Sequence, residues 1–292
     1  MTYKFIDLFA GIGGFHIALH NLGAECVFAS EWDEAARKTY EANFRKISPD
    51  LFERDNFVGD ITKIDKSSIP DFDILCAGFP CQPFSQAGRK LGFADTRGTL
   101  FFDIEEIIRL KKPKAFFLEN VRGLLKHDNG RTFEVIQKTL TEGLGYSLHF
   151  AIVKASEHGL PQHRPRLFMI GFRDVNTPFE VPAKRELAYT LSEVMGGKVD
   201  RDIGFTLRVG GAQSPIDDRR NWDGYLVDGE VRRVSPDEGK KMQGFPSDFE
   251  FPVSKRDAMK QLGNSVAINA IQDWAESLIK SLNVMEQKND IS

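Results

Sequence analysis

The chain has 292 residues, of which 41% are hydrophobic and 28% charged, a globular composition long enough for one large domain and a smaller one. Its formal net charge is -3, and residues 201–241 carry eight basic side chains against eight acidic ones, so charge by itself points to no nucleic-acid partner. No stretch approaches the ~20 apolar residues needed to cross a bilayer, and no basic segment followed by a long apolar run opens the chain. Cys26, Cys76 and Cys81 cannot all pair and form no CxxC, so the expectation is a soluble cytoplasmic protein with reduced thiols and no metal site.

In chain order, short apolar runs alternate with segments of helical texture through residues 1–170. Runs at residues 3–9, 25–30, 73–77, 114–118, 147–153 and 166–172 predict strands, with helices between them. That alternation implies an α/β domain with a doubly wound, mostly parallel sheet. The clearest helix is at residues 99–110, where Leu100, Ile104, Ile107 and Ile108 share a face and Pro113 follows the end. After Phe172 the texture changes. Pro178, Pro182, Gly196 and Gly197 lead into a polar, glycine-rich stretch at residues 204–229, which predicts a smaller, mostly irregular or β domain at residues 185–252. Helical spacing returns with Val266, Ile268, Ile271, Trp274 and Leu278, so residues 253–292 are expected to complete the domain begun by residues 1–184.

Two constellations carry chemistry. In the first, Asp7, Leu8, Phe9, Ala10, Gly11, Ile12, Gly13 and Gly14 run from a strand through a glycine turn into a helix. Such a turn lets a ligand approach the backbone and aims unpaired helix N–H groups at it. His16 stands where a dinucleotide fingerprint needs its third glycine, which disfavours a pyrophosphate site. Glu31 ends the second strand, where a carboxylate accepts hydrogen bonds from ribose hydroxyls, and Trp32 offers a face for an adenine. A core aromatic and a solvated turn acid are the alternative readings for Trp32 and for Asp60.

In the second constellation, the strand at residues 73–77 runs into Phe79, Pro80, Cys81 and Gln82. A cysteine held between prolines at a strand's C-terminal edge is an accessible thiol, and a nearby cation or helix terminus favours its thiolate. Cys26 and Cys76 lie inside apolar strand sequence and read as small buried hydrophobes. Glu119 ends a strand at the same sheet edge, as a proton donor or as the cap of the next helix. Arg164 and Arg166 add two cations before the last strand.

Taken together, these motifs closely resemble the bacterial DNA cytosine-5 methyltransferases of restriction–modification systems, in that family's order and over nearly the whole chain. Residues 5–14 resemble its methyl-donor motif and residues 78–85 its Pro-Cys-Gln nucleophile motif. Residues 119–121 resemble its Glu-Asn-Val motif, and residues 162–166 its Gln-x-Arg-x-Arg motif. Residues 233–246 resemble the segment that closes its recognition domain, and residues 261–266 its final motif. A related transfer-RNA branch typically carries Cys-Phe-Thr, which this chain lacks.

The resemblance implies an S-adenosylmethionine-dependent methyltransferase fold, a target-recognition domain, S-adenosyl-L-methionine as methyl donor and S-adenosyl-L-homocysteine as product. Double-stranded DNA would be the partner of a monomer, and one cytosine would be flipped out of the stack for chemistry. Catalysis falls by resemblance to Cys81, Glu119, Arg164 and Arg166. Cofactor contacts fall to Phe9, Ala10, Gly11, Ile12, Gly13, Gly14, Glu31, Trp32, Asp60, Ile61, Pro80, Leu100, Asn264 and Ser265. DNA contacts are expected from Ser85, Gln86, Arg89, Arg208, Gln213, Arg219 and Arg220, with residues 82–99 as a lid.

Overall fold

The computed structural model describes residues 2–80, 100–210 and 212–291, with side chains as far as residue 288. The calls on Cys81, Ser85, Gln86, Arg89 and the lid lie outside the described residues.

Seven strands form one sheet: β1 (Lys4–Leu8), β2 (Glu25–Ser30), β3 (Phe57–Val58), β4 (Ile74–Gly78), β5 (Ala115–Val121), β6 (His149–Lys154) and β7 (Pro165–Phe172). Their order is β3-β2-β1-β4-β5-β7-β6. Pairing is parallel from β3 to β5, and β7 runs antiparallel to both β5 and β6. The sheet is therefore mostly parallel, as the alternation implies. Its central strands are buried on both faces, which is why β4 and the first four residues of β5 read as unbroken apolar runs rather than as alternating ones.

Of the helices, α1 (Gly14–Asn21), α2 (Glu34–Phe44) and the short α3 (Pro49–Glu53) belong to the first half of the sheet. α4 (Leu100–Lys111) covers one face, where Ile104, Ile107 and Ile108 pack with Phe116 of β5. The predicted helix at residues 99–110 is thus present. Against the other face lies α9 (Ile268–Ile291), whose Trp274 meets Phe168 edge-on at 5.6 Å in one cluster with Phe117. Each such fully buried side chain contributes about 1.5–3 kcal/mol. The C-terminal segment packs back on the sheet because its apolar stripe has nowhere else to go.

Residues 185–252 are less irregular than their composition suggests. They hold α6 (Leu191–Met195), the hairpin β8 (Gly224–Val227) with β9 (Glu230–Arg233), and α7 (Pro236–Gln243); α5 (Arg131–Lys138) and α8 (Lys255–Asn264) lie outside this stretch. Both α6 and α7 start with a reciprocal capping box, Thr190 with Glu193 and Ser235 with Glu238. The hairpin turns on Asp228 and Gly229, both with positive φ, the geometry that matches the twist of its strands.

Candidate active site

The strand order reverses between β1 and β4, and a crevice opens there beyond the carboxyl ends of the strands, where open α/β sheets place their ligands. It is a cleft of about 610 Å³. Among the carboxylates that line it are Glu31, at the end of β2, and Glu119 on β5.

The glycine turn divides its labour. Phe9 adopts φ 56° and Gly11 φ 57°, left-handed backbone that costs a phenylalanine about 1–3 kcal/mol. With this backbone, Phe9, Gly11 and Ile12 lie on the cleft wall. A Cβ on Gly11 would meet only open space, whereas one on Gly13 would lie 2.1 Å from the Phe44 ring and one on Gly14 2.4 Å from Val266. Gly13 and Gly14 are therefore packing glycines. The structure puts neither of them, nor Ala10, on the cleft lining.

Glu31 is buried and braces the turn. Its carboxylate accepts from the backbone N–H of Gly11 and of Asp33, both at 2.8 Å. Burial pushes its pKa up, against the pull of those bonds. Trp32 is 73% exposed on the cleft lining, so it is no core aromatic. Asp60 lines the cleft and also caps the turn Ile61–Lys63 through Thr62, so the turn-acid reading holds as well. Ile61, Pro80, Leu100, Asn264 and Ser265 complete the predicted set on the lining.

At the other end of the cleft the sheet register sets Gly78 beside Glu119 and Val121 beside Arg166. Arg166 Nε donates to Glu119 Oε1 at 2.9 Å. Burial raises the Glu119 pKa, and the charges of Arg166 and Arg164 act in the opposite direction. Asn120 donates to the Phe79 carbonyl at 2.8 Å and accepts from Val121 N–H, tying the Glu119 strand to the segment that leads toward Cys81. Cys26 and Cys76 are both buried with their thiol pKa pushed up by burial, the opposite of what a nucleophile needs.

Arg164 sits elsewhere. Its guanidinium is fully buried and donates to the carbonyls of Leu207, Gly263 and Ser265, and the structure brings Arg166 but not Arg164 to the cleft. Arg208 is exposed on the cleft lining. Gln213, Arg219 and Arg220 lie away from it, and Arg220 is paired with Asp218 at 2.7 Å. Sequence reasoning missed Asp33, Lys260 and Gln261 on the lining. Asp33 and Lys260 pair at 3.0 Å across the first turn of α2 and the body of α8, and Thr39 donates to Gln261 at 2.9 Å. A clue lay in the helical spacing just before the final motif, which puts Asp257, Lys260, Gln261 and Asn264 on one face. Among the described residues no group of three or more histidines, cysteines or acids could hold a metal ion. No described helix is long and apolar enough to cross a membrane.

Fold and cleft together give an α/β chain with one ligand crevice at the sheet's switch point, lined by Glu31 and Trp32 and by the Glu119–Arg166 pair. Comparison with known proteins narrows this. The family model described as C-5 cytosine-specific DNA methylase matches residues 3–203 and 200–280. Among relatives, the type II methyltransferase M.HpaII of Haemophilus parainfluenzae is 42% identical over 96% of this chain and 90% of its own length. M.HhaI of Haemophilus parahaemolyticus is 41% identical over 96% of this chain and 95% of its own length. Among solved structures, a variant of DNMT2 from Spodoptera frugiperda superposes with a TM-score of 0.72 at 18% identity, covering 95% of this chain and 100% of that one, a likeness of fold. The chain belongs to the C-5 cytosine-specific DNA methylase family and is a DNA cytosine-5 methyltransferase.

Proposed function

We propose that this enzyme methylates carbon 5 of one cytosine in a specific double-stranded DNA sequence, through a covalent adduct of Cys81 with the flipped base. The observation that carries the reading is that one and the same cleft has Glu31 and Trp32 at one end and the Glu119–Arg166 pair at the other. S-adenosyl-L-methionine supplies an electrophilic methyl group on sulfur. The residues fit its adenosine half. Glu31 has lone pairs to spare for two ribose hydroxyls, Trp32 offers an exposed ring face for the adenine, and Gly11 leaves room beside the backbone.

The Cys81 thiolate adds to carbon 6, and the ring's electron pair moves toward N3 and makes carbon 5 nucleophilic. Glu119 acts where that charge develops. Its raised pKa suits a carboxyl that donates a proton to N3 and accepts from the exocyclic amine, while Arg166 holds O2. Carbon 5 takes the methyl group, with S-adenosyl-L-homocysteine as the leaving thioether, and then loses its own proton to a base; the C6–S bond breaks, its electron pair returns to the Cys81 thiolate, and N3 gives its proton back to Glu119. Residues 185–252 form the target-recognition unit in this reading, with Arg208 on the cleft lining. Acting as a monomer in the cytoplasm, the enzyme would protect DNA from a cognate endonuclease, as the type II names of its relatives suggest.

Bisulfite sequencing of DNA from cells expressing the chain identifies the methylated site, and a duplex carrying 5-fluorocytosine at that cytosine tests the chemistry. Fluorine at carbon 5 cannot leave as a cation, so with S-adenosyl-L-methionine present the enzyme should be trapped on the duplex and resist denaturing gels. Cys81→Ala should form no adduct. Cys76→Ala should still form it, since that thiol is buried within β4. Absence of an adduct on a duplex the enzyme does methylate would falsify the covalent route.

A further inference from the structure

The buried guanidinium of Arg164 joins two parts of the chain with different tasks. One hydrogen bond goes to the carbonyl of Leu207, at 3.0 Å, immediately before Arg208 and Val209 on the cleft lip and the recognition segment beyond them. The others go to Gly263, at 3.0 Å, and Ser265, on either side of Asn264 in the cofactor wall. The two segments touch directly as well. A Cβ on Gly263 would fall 2.7 Å from the Arg208 carbonyl carbon and 3.0 Å from Val209 N, so backbone lies on backbone with no side chain between. Two residues upstream, the buried Gln162 side chain accepts from Leu207 N–H at 3.3 Å and donates to the Met242 carbonyl at 3.2 Å.

A buried guanidinium answered by three carbonyls holds both segments firmly, because moving either one away leaves N–H groups and charge without partners. Only a planar fork of donors spans such a set; a lysine ammonium at the end of a flexible stem does not.

We infer that Arg164 is a positioning residue that couples the recognition segment to the cofactor wall, so that binding of duplex DNA and binding of cofactor strengthen each other. The inference rests on the functional reading of the cleft given above. Whatever seats residues 208 and 209 on DNA also seats residues 263–265, and coupling of this kind is reciprocal.

The test measures affinity for S-adenosyl-L-homocysteine by calorimetry, alone and with a saturating duplex that carries the methylated site. For the wild type the duplex should tighten binding about fivefold or more, and for Arg164→Lys less than about twofold. Gln162→Met, which frees Leu207 N–H while leaving Arg164 in place, should shift the ratio in the same direction and decides the matter if the lysine variant does not fold. Should the wild type methylate DNA yet show no coupling, or should the folded variants keep the wild-type ratio, the coupling role is overturned while the assignment of function stands. A wild type that methylates no DNA would overturn both.

Discussion

Replacing Glu31 by alanine separates the two jobs of that carboxylate. In the folded protein it accepts two backbone hydrogen bonds of 2.8 Å, from Gly11 and Asp33. A bond to a charged acceptor contributes about 1.5–3 kcal/mol, but the alanine variant also sheds the cost of burying the carboxylate and lets water reach the freed N–H groups at the cleft. The net loss of stability is then about 1–3 kcal/mol, a fall of several degrees in melting temperature for a chain this long. The loss in cofactor affinity is larger. Two ribose hydroxyls donating to a buried carboxylate are together worth about 3 kcal/mol or more, roughly a hundredfold in Kd. Glu31→Gln, which keeps one acceptor oxygen, should fall about tenfold. Trp32→Ala should leave the melting temperature nearly unchanged, because the ring is already 73% exposed. It should still weaken binding about tenfold through lost stacking. Calorimetric titration with S-adenosyl-L-homocysteine beside a melting curve reads both quantities. Unchanged affinity in a folded Glu31→Ala variant would refute the placement of the ribose.

The glycine turn makes a paired prediction. Gly13→Ala drives a methyl group into the Phe44 ring at φ 85° and should cost about 2–4 kcal/mol of stability, whereas Gly11→Ala meets open space and should cost only about 1 kcal/mol while weakening cofactor binding. Equal losses of stability from the two would contradict the division of labour. For Glu119 the sign runs as for any acid whose folded pKa is raised: its contribution to stability is full below its ordinary 4.5 and is lost as pH rises through the raised value. Melting temperatures of Glu119→Gln against wild type should therefore move in favour of the variant from about pH 4 to pH 7, and a difference constant with pH would show that burial does not dominate at this site. Exchanging residues 201–230 for those of a relative with another target should change which cytosine bisulfite sequencing finds methylated. An active chimera that keeps the original site would place specificity elsewhere.

Much of this was legible in the sequence because the central strands are buried on both faces. Residues such as Phe116, Phe117 and Leu118 then form a continuous apolar run that has no other stable use, and the turns between such runs fall at the cleft. Glu31 and Glu119 could be found as carboxylates that end apolar strands. What could not be read was the partner of each group. The three glycines of the turn look equivalent in one dimension, yet one faces the cleft and the other two face Phe44 and Val266, side chains 31 and 252 residues further along. Arg164 and Arg166 look like a pair of cations, but strand alternation would send neighbours two apart to the same side. The difference arises because Arg164 precedes β7, which starts at Pro165, and is turned into the carbonyls of residues 207, 263 and 265. The hairpin at residues 224–233 lies in the stretch expected to be irregular or β, and Asp228-Gly229 is the local turn signal that places it.

The same tethering bears on how a recognition segment can vary without damaging catalysis. Leu207 is fully buried, its N–H and carbonyl are both engaged by residues 162 and 164, and the backbone that follows rests on Gly263. A substitution with a different backbone preference there would disturb the cleft wall that holds Asn264 and Ser265, and with it the proposed cofactor site. From Arg208 onward the side chains are mostly exposed through Arg220, and Leu226 and Val231, opposite each other in the hairpin, are exposed as well. Changes on these positions remove no core contact and leave the Arg164 bonds intact. If this stretch reads DNA as proposed, target choice would drift along the exposed stretch and the hairpin's outer face, while the root at residue 207 stays tied through Arg164 to the backbone of Gly263 and Ser265.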